Sequence, residues 1–293
     1  MSTHFAPPRV AAIHDLSCLG RCALTVIIPT LSVMGYQVVP IPTALLSTHT
    51  GGFTDLYFHD LTPDMEKIAD HFSRLGTSFR AIYSGFLGSA EQIETVSRFI
   101  DRFGDKPDES GKPPLVLIDP VMGDEGELYS TYTHDLMKGM RTLAHKAQLL
   151  TPNLTEACFL TDTPYRNTAD LPYDEAMAFV HGLMDRLESF GAERIVITGI
   201  HLSNGTLANL GKNSDRSRFC VSRPLQSRSY PGTGDVFASV LLGSLLDSGD
   251  FEAACEAAAD FTATLIRESM PIQTPAREGV ALERYLHLLC KKD

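Results

Sequence analysis

The sequence predicts an α/β protein in which a mostly parallel sheet lies between two layers of helices. Three observations carry this prediction. Short β-branched runs alternate with amphipathic stretches of helical length along most of the 293 residues. Acidic and glycine-rich motifs follow several of the short runs, where an α/β fold binds its ligands. No internal repeat or long linker divides the chain, so a single domain is expected over residues 1–293.

The buried strands are predicted from short apolar runs that polar or glycine residues terminate. They are RVAAIH (9–14), QVVPI (37–41), RAIYSG (80–85), PLVLID (114–119), AQLLT (147–151) and RIVITG (194–199). Helical periodicity is found between them, at 21–34, 62–75, 89–103, 133–146, 153–160 and 172–190. Because strands and helices alternate, the strands are expected to run parallel, with ligands at their carboxyl ends.

Two segments interrupt the alternation, and the chain becomes helical after them. Residues 47–60, STHTGGFTDLYFHD, are rich in turn residues and predict a mobile flap rather than a packed element. The pair Asn204-Gly205 predicts a hairpin within 201–225. Three further helices are expected at 233–249, 251–269 and 279–292.

The composition excludes several classes of protein. A net charge of −11 argues against nucleic-acid binding, because a phosphate backbone requires a basic face. A small phosphate ligand is still compatible with it, provided that backbone amides and a metal supply positive charge locally. Residues 1–15 show no signal-peptide pattern, and no apolar run is long enough to span a membrane. A cytoplasmic protein that binds neither membrane nor nucleic acid is therefore expected.

The six cysteines are scattered, which favours free thiols in a reducing compartment. Cys18 and Cys22 are the one close pair. A zinc site would need a second pair of ligands to complete tetrahedral coordination, and the sequence offers none at a suitable spacing.

The tetrapeptide Gly232-Thr233-Gly234-Asp235 precedes a helical pattern and allows two interpretations. Glycines let backbone amides converge on an anion, and the helix start adds its positive dipole end, so the loop could receive a phosphoryl group. Asp235 would then lie within reach of a substrate hydroxyl and act as its general base. Alternatively, the glycines make an ordinary turn and Asp235 only complements the helix dipole.

Acidic residues also follow two neighbouring strands. VLIDPVMGDEGELY (116–129) ends a strand at Asp119 and then offers Asp124 and Glu125. LLTPNLTEA (149–157) places Asn153 and Glu156 in the first turn of the next helix, on one face. Oxygen ligands of this kind suit Mg²⁺. A capping box formed by Asn153 and Glu156 explains the second motif equally well.

Taken together, these motifs resemble those of the ribokinase-like vitamin kinases, and most closely those of their pyridoxal kinase branch. GTGD opens a helix, DPVMGD and TPNLTEA follow strands, and HTGGF follows the second strand, in an order that covers nearly the whole chain. The resemblance implies a ribokinase-like three-layer α/β/α sandwich and a homodimer. It also implies ATP-dependent phosphorylation of the 5′-hydroxymethyl group of pyridoxal, pyridoxine or pyridoxamine, with Mg²⁺ and a monovalent cation such as K⁺ as cofactors.

The resemblance also implies roles for individual residues. Asp235 matches the catalytic base, and Gly232, Thr233 and Gly234 match the anion hole. The residues that match the nucleotide site are Asp119, Asp124, Tyr129, Asn153, Glu156 and Thr198, of which Asp119 and Glu156 are the expected metal ligands.

Four residues match the vitamin pocket, and two of them depart from the commonest family pattern. Asp15 stands where many pyridoxal kinases have a serine that meets the ring nitrogen, so an acid here would instead pair with a protonated pyridine. Phe86 stands where tyrosine is frequent and would offer a face for stacking, unless it is an ordinary core aromatic. Thr43 and His49 frame the start of the flap; the alternative for His49 is a solvent-facing histidine.

Two other functions stay open at this point. A hydroxymethylpyrimidine kinase needs a similar pocket for a smaller ring, and one-ring substrates are separated by only a few hydrogen bonds. A non-catalytic B6-binding protein would keep the fold but would have no use for a base facing an anion hole. A dinucleotide-dependent oxidoreductase is disfavoured, because DLSCLG follows the first strand where a GxGxxG motif would be required.

Overall fold

A computed structural model describes residues 6–129 and 132–291. The strands within these residues, in chain order, are β1 Arg9–Leu19, β2 Gln37–Thr48, β3 Phe58–Asp60, β4 Ala81–Ser84, β5 Leu115–Ile118, β6 Gly123–Asp124, β7 Glu127–Leu128, β8 Leu149–Leu150, β9 Arg194–Leu202, β10 Thr206–Lys212 and β11 Arg218–Pro224. The helices are α1 Leu24–Val33, α2 Thr62–Arg74, α3 Ala90–Phe103, α4 His134–Ala144, α5 Leu154–Leu160, α6 Tyr173–Leu187, α7 Thr233–Ser248 and α8 Phe251–Ser269.

The described strands form one large sheet and one small hairpin. The large sheet has the order β11-β10-β9-β8-β5-β4-β1-β2-β3, and β6 pairs with β7 separately. From β9 to β2 all neighbours are parallel, whereas β3, β10 and β11 are antiparallel additions at the two edges. The carboxyl ends of six parallel strands therefore meet at one edge of the sheet, where such folds bind ligands.

Helices cover both faces of the sheet and bury two apolar clusters. Residues of α2 to α6 pack on one face, against side chains such as Ile13, Ile82 and Ile118. Residues of α1, α7 and α8 pack on the other, against Val10, Tyr83 and Leu117. The predicted three-layer α/β/α arrangement with a mostly parallel sheet is confirmed. The central strands β4, β5 and β8 are almost entirely apolar and buried, as expected for parallel strands that are covered on both faces.

The first two strands are longer than their apolar runs predict. β1 continues past His14 to Leu19, and β2 continues past Ile41 to Thr48, with a register shift between His14 and Leu16. These extensions contain several polar residues and Pro42, so their local pattern does not indicate a strand. Pairing with each other supplies the hydrogen bonds that hold them extended, and it carries the polar residues to the ligand-binding edge.

Two predicted elements need correction, and one is confirmed. Residues 58–60 are not part of a free flap, because β3 pairs antiparallel with β2. The helix predicted at 279–292 is wrong over the described residues 279–291, which make short 3₁₀ turns at Leu282–Arg284 and Leu286–Leu289. The turn Leu286–Leu289 packs against α1, and these short 3₁₀ turns stand in place of the predicted regular helix. The hairpin at Asn204-Gly205 is confirmed, between β9 and β10.

The predictions for the two chain ends are only partly covered. Residues 1–5 of the N-terminal stretch and Lys292 of the C-terminal one lie outside the described residues. Among the helices that are described, none combines the length and the apolar character needed to cross a bilayer.

Candidate active site

The site predicted from the sequence lies where the parallel strands end. Asp15 and Thr43 belong to the extensions of β1 and β2, Phe86 follows β4, Asp119 follows β5, and Asn153 follows β8. The start of α7, with Asp235, faces the same edge from the layer that contains α1 and α8. The fold thus brings residues from six separate segments to one place.

The GTGD loop forms the N-terminus of α7 and has a conformation that requires glycine at its first position. Gly232 is the N-cap, with φ 79°. A Cβ at this position would lie 2.0 Å from the carbonyl oxygen of Arg21, so no other residue fits. A Cβ at Gly234 would meet no protein atom within 4 Å. The Thr233 hydroxyl donates to the Tyr230 carbonyl oxygen at 3.0 Å. The backbone amides at the start of α7 therefore face outwards, at the positive end of the helix dipole.

Asp235 lies half-buried in the first turn of α7, and the backbone of another segment holds it in place. The Ala23 amide donates to its Oδ2 at 2.8 Å. Ala23 adopts a positive φ of 47°, which is unfavourable for a residue with a Cβ and directs the amide towards the acid. Burial raises the pKa of Asp235 to about 7, and the charge of Asp15 acts in the same direction. A carboxyl with such a pKa suits proton abstraction near neutral pH.

Asp119 is the second buried acid of the site. It lies just beyond β5, and its backbone amide donates to the Ser84 carbonyl oxygen at 2.8 Å. Burial is the main cause that raises the pKa of Asp119, followed by repulsion from Asp235. The two carboxyls are therefore electrostatically coupled, and a cation beside them would relieve the repulsion.

Glu156 and Asn153 form the capping box that was the alternative to a metal site. The Asn153 side chain accepts the Glu156 amide at 2.8 Å, and Glu156 Oε2 accepts the Asn153 amide at 2.7 Å. Glu156 Oε1 accepts the Met122 amide at 3.2 Å. Burial and the Asp119 charge raise the pKa of Glu156. Both oxygens are thus engaged, so Glu156 would reach a metal through water rather than directly.

The β6–β7 hairpin is held on the N-terminus of α5 and presents Asp124 and Tyr129 at the surface. The Gly126 amide donates to the Thr155 hydroxyl at 2.9 Å, and the Asn153 side chain donates to the Gly123 carbonyl oxygen at 2.9 Å. Asp124 is exposed, and Tyr129 is 39% exposed. This anchoring places the hairpin beside the acids at the ends of β5 and β8.

Thr198 also belongs to this group, within β9. Its amide donates to the Pro152 carbonyl oxygen at 2.9 Å, and it forms an isolated parallel bridge with Asn153. Gly199 follows with φ 69°. The predicted nucleotide-side residues thus lie on adjoining segments.

On the vitamin side, Asp15 and Thr43 are buried at the ends of β1 and β2. The Ser17 hydroxyl donates to Asp15 Oδ2 at 2.9 Å, and burial raises the pKa of Asp15. The Thr43 hydroxyl is buried without a hydrogen-bond partner among the described residues. Phe86 is partly buried and its ring centroid lies 6.4 Å from that of Tyr132. Phe86 packs against the core, so the core-aromatic interpretation is also compatible with its position.

His49 is buried, which contradicts the alternative of a solvent-facing flap histidine. Its Nδ1 accepts the Gly51 amide at 3.1 Å, so the proton resides on Nε2, which donates to the Arg277 carbonyl oxygen at 2.6 Å. Gly20 covers the ring, because a Cβ there would lie 2.8 Å from its Cδ2. Both ring nitrogens are therefore occupied by the protein itself.

The donor set of the site fits Mg²⁺ better than a closed metal cage. Over residues 6–129 and 132–291, no group of three or more His, Cys, Asp or Glu side chains is placed to hold a metal. Mg²⁺ commonly uses one or two carboxylates, with phosphates and water as its other ligands, and the coupled pair of Asp119 and Glu156 matches that need. Cys22 is a buried free thiol whose pKa is raised by burial and by Asp235, which makes it a poor metal ligand.

Sequence reasoning missed the contributions of three backbone groups. They are the amides of Ala23 and Met122, which bind Asp235 and Glu156, and the carbonyl oxygen of Arg277, which binds His49. No side-chain pattern signals a backbone donor, and the positive φ of Ala23 has no signature in the sequence.

The chain is similar to known proteins over most of its length. A family model described as phosphomethylpyrimidine kinase matches residues 28–278. A pyridoxal kinase of Dictyostelium discoideum is 26% identical over 280 residues, which are 89% of this chain and 86% of that protein.

Two solved structures resemble the chain over nearly its whole length. One is a Bacteroides thetaiotaomicron protein provisionally named phosphomethylpyrimidine kinase, in a crystal form with pyridoxal. It is 38% identical with a TM-score of 0.86 and covers 98% of this chain and 96% of its own. The other is pyridoxal kinase from Lactobacillus plantarum, 26% identical with a TM-score of 0.85 over 96% of each chain. The resemblance found in the sequence motifs is confirmed.

Proposed function

The chain belongs to the phosphomethylpyrimidine kinase family and is similar to pyridoxal kinases, and from this premise we propose that it phosphorylates B6 vitamers with MgATP. The acceptor is the 5′-hydroxymethyl group of pyridoxal, pyridoxine or pyridoxamine, and the product serves vitamin B6 salvage. The observation that carries the proposal is the half-buried Asp235 at the open N-terminus of α7. One of its oxygens is held by the Ala23 amide, and its pKa is raised to about 7.

In the proposed mechanism, Asp235 takes the proton of the vitamer hydroxyl as the hydroxyl oxygen attacks the γ-phosphorus of ATP, and the bond from that phosphorus to ADP breaks. The Ala23 amide fixes Oδ2 and leaves Oδ1 to receive the proton. The amides of the Gly232–Gly234 loop stabilise the charge on the transferring phosphoryl group, supported by the dipole of α7. Gly234 lets the phosphoryl group approach the backbone closely, since a side chain there would occupy the open space that the phosphoryl group needs.

The acids at the ends of β5 and β8 serve the nucleotide side. Mg²⁺, when bound, neutralises phosphate charge that an acidic protein would otherwise repel. Asp119 is the direct ligand that we favour, and Glu156 contributes charge through water while it closes the capping box. Asp124, Tyr129, Asn153 and Thr198 line the approach of the triphosphate, and a monovalent cation such as K⁺ would assist there.

At the vitamin ring, Asp15 is the residue we assign to the pyridine nitrogen. Its buried carboxyl has a raised pKa, so it can share a proton with the ring as either partner. Thr43 has a buried hydroxyl to offer, and Phe86 offers its ring face. We further propose a single kinase domain that acts as a homodimer in the cytoplasm, as the family resemblance implies.

An ADP-release assay with Mg²⁺ and ATP, run in parallel on pyridoxal, pyridoxine, pyridoxamine and hydroxymethylpyrimidine, tests the proposal. Turnover of the B6 vitamers supports it, and their ranking reports on Asp15. Turnover of the pyrimidine alone would mean that the same mechanism serves a hydroxymethylpyrimidine kinase instead. If all four fail while pyridoxal still binds, the chain is a B6-binding protein and the proposal is wrong.

A further inference from the structure

Residues 276–284, which we call the C-terminal strap, cross the outside of the site. The strap is anchored in the core, because Val280 and Leu282 are buried beside α1, α7 and α8. Its Ala281 amide donates to the Ser269 hydroxyl at the end of α8, at 2.8 Å. A rigidly anchored segment of this kind can transmit its position to whatever it contacts.

The first of its contacts is with residues 20–23, the loop that carries the Ala23 amide. The Arg21 amide donates to the Glu278 carbonyl oxygen at 3.0 Å. The Arg21 guanidinium binds both carboxylate oxygens of Glu283, at 2.8 and 3.0 Å, and the Glu278 carbonyl oxygen at 3.2 Å. Gly279, with φ 82°, lies so close that a Cβ would be 2.8 Å from the Arg21 carbonyl oxygen. Arg21 is thus enclosed by the strap.

The same loop reaches the base and the anion hole. The Arg21 carbonyl oxygen abuts Gly232 on its other side, and two residues later the Ala23 amide binds Asp235. Ala23 adopts its positive φ only because its surroundings impose it. A loop under such strain relaxes when its support is removed, and relaxation here would withdraw the hydrogen bond from Asp235.

The second contact of the strap is with the start of the 47–60 segment. The Arg277 carbonyl oxygen accepts the Nε2 proton of His49. The Arg277 guanidinium lies over the Phe53 ring at 4.8 Å, and Phe53 meets the His49 ring edge to face at 5.0 Å. The strap therefore holds the vitamin-side histidine and the loop behind the base at the same time.

We propose that the C-terminal strap is a positioning element for the transfer reaction, which fixes loop 20–23 through Arg21 so that the Ala23 amide orients Asp235, and fixes His49 through Arg277. The proposal rests on the function proposed above. It makes Arg21, Glu283 and His49 positioning residues, and it gives His49 a role in holding the pocket wall rather than in binding the vitamer.

The decisive variant is Glu283→Ala, because two explanations of its effect predict opposite signs. The titratable side chains whose charges interact with Asp235 are Asp15, Cys22, Tyr83, Asp119 and Tyr129. Removing a negative charge nearby would shift the acid limb of the pH–rate profile to lower pH. Releasing the Ala23 amide, a donor that lowers the pKa of Asp235, shifts it to higher pH.

For Glu283→Ala we expect an acid limb displaced upwards, kcat lower by about tenfold, and an unchanged KM for MgATP. Glu283→Gln, which keeps an acceptor for Arg21, should lie between this variant and the wild type. Asp260→Ala is the matched control. The Arg223–Asp260 pair has side chains 26% and 64% exposed, against 25% and 65% for Arg21–Glu283, but joins β11 to α8. A displaced limb in Asp260→Ala, or an unmoved or lowered limb in Glu283→Ala, overturns the proposal.

Gly279→Ala reaches the same loop without changing a charge. It should reproduce the phenotype, because its Cβ would press on the Arg21 carbonyl oxygen. Gly249→Ala is its control, with a similar φ of 74° and no atom within 4 Å of a Cβ. Equal pH profiles in the two glycine variants contradict the strap.

Amide hydrogen exchange separates failure of the strap from failure of the proposed function. Exchange in residues 20–25 and 49–51 should be about tenfold faster in Glu283→Ala and Gly279→Ala than in their controls. Unchanged exchange overturns the strap, whether or not the protein turns over a vitamer. If the wild type has no kinase activity but exchange responds as expected, the strap is supported and the function proposed above is wrong.

Discussion

At the scale of single residues, the Asp235 carboxyl gains its properties from neighbours far away in the sequence. Its Oδ2 is occupied by an amide 212 positions earlier, and burial raises its pKa to about 7. The hydrogen bond from Ala23 acts against burial and keeps part of the carboxyl ionised at neutral pH. The balance of the two effects is suited to a base that must be unprotonated before transfer and protonated after it.

Replacing Asp235 by asparagine should lower kcat by about a hundredfold or more, as expected for removing a general base. Binding of the vitamer and of MgATP should change little, because the amide side chain fills the same space. Single-turnover kinetics and calorimetric titration measure the two quantities separately. A variant with full activity would show that another group accepts the proton.

The pH dependence of the wild type follows from the same residue. The base must be ionised, so kcat/KM should rise with pH and level off above a midpoint near 7, where Asp235 titrates. The measurement is a pH–rate profile in constant ionic strength. An acid limb centred near the ordinary aspartate pKa would mean that burial does not govern this group.

At the scale of elements, Glu156 at the N-terminus of α5 has both a structural and an electrostatic role. Its two oxygens bind the amides of Asn153 and Met122, so it joins the helix to the segment after β5. The same carboxyl lies close enough to Asp119 for each charge to disfavour the other. The sequence motif alone leaves capping and metal binding as alternatives; the geometry lets one residue contribute to both.

Two substitutions at Glu156 separate these roles. Glu156→Ala leaves two buried amides without an acceptor and should destabilise the protein by about 2–3 kcal/mol. Glu156→Gln keeps one acceptor and should cost about 1 kcal/mol, yet raise the Mg²⁺ concentration for half-maximal rate by about tenfold. Urea unfolding and a Mg²⁺ titration of activity measure the two effects. An unchanged Mg²⁺ requirement in Glu156→Gln would restrict Glu156 to capping.

Residues 49–57, the part of the predicted 47–60 flap that lies between β2 and β3, form the second element with a testable role, which is to exclude water during transfer. Deleting Gly51 and Gly52 shortens the turn between His49 and Phe53, and should raise ADP release relative to vitamin phosphate formed. Parallel assays of the two products give the ratio. A ratio equal to that of the wild type contradicts the flap, and an unchanged far-ultraviolet circular dichroism spectrum serves as the control for overall folding.

At the scale of the whole molecule, one edge of the sheet concentrates buried acids. Asp15, Asp119 and Glu156 have raised pKa values because of burial, as does Asp235. Bringing them together costs folding free energy whenever they are ionised. The fold tolerates this cost because a bound cation, or a proton, would neutralise part of the charge.

Stability in the absence of metal should therefore fall as the pH rises from 6 to 8. A raised pKa in the folded state means that the folded protein binds the proton more tightly, so the stabilisation is lost as pH rises through the folded pKa, about 7 for Asp235. His14, whose pKa burial lowers to about 3, acts in the opposite sense, but mainly below pH 6.5. We expect a melting temperature about 2–5 °C higher at pH 6 than at pH 8.

Scanning calorimetry on the wild type and on Asp119→Asn measures this dependence. The variant should show a smaller difference between the two pH values, and Mg²⁺ with ATP should stabilise the wild type more at pH 8 than at pH 6. A melting temperature that increases towards pH 8 without metal would contradict the assignment of these acids.

The sequence by itself determined that helices cover both faces of a mostly parallel sheet. It also determined where the parallel strands lie along the chain and which motifs follow them. These features depend on local periodicity and on residue types, such as the GTGD loop and the acid after LVLI. It also supported the family assignment. It could not predict the extensions of β1 and β2, because polar strands are held by their partners rather than by their own propensity.

Only the tertiary structure decided how the site is supported. What Glu156 binds beyond its own helix, how His49 is held away from solvent, and which group orients Asp235 all depend on backbone amides and carbonyls from distant segments. Every residue carries these backbone groups, so no residue type in the sequence marks the ones that matter. Their direction is set by φ and ψ, and Ala23, with its positive φ, belongs to a loop that approaches Gly279 of the strap and Gly232 at the start of α7 through the Arg21 carbonyl oxygen.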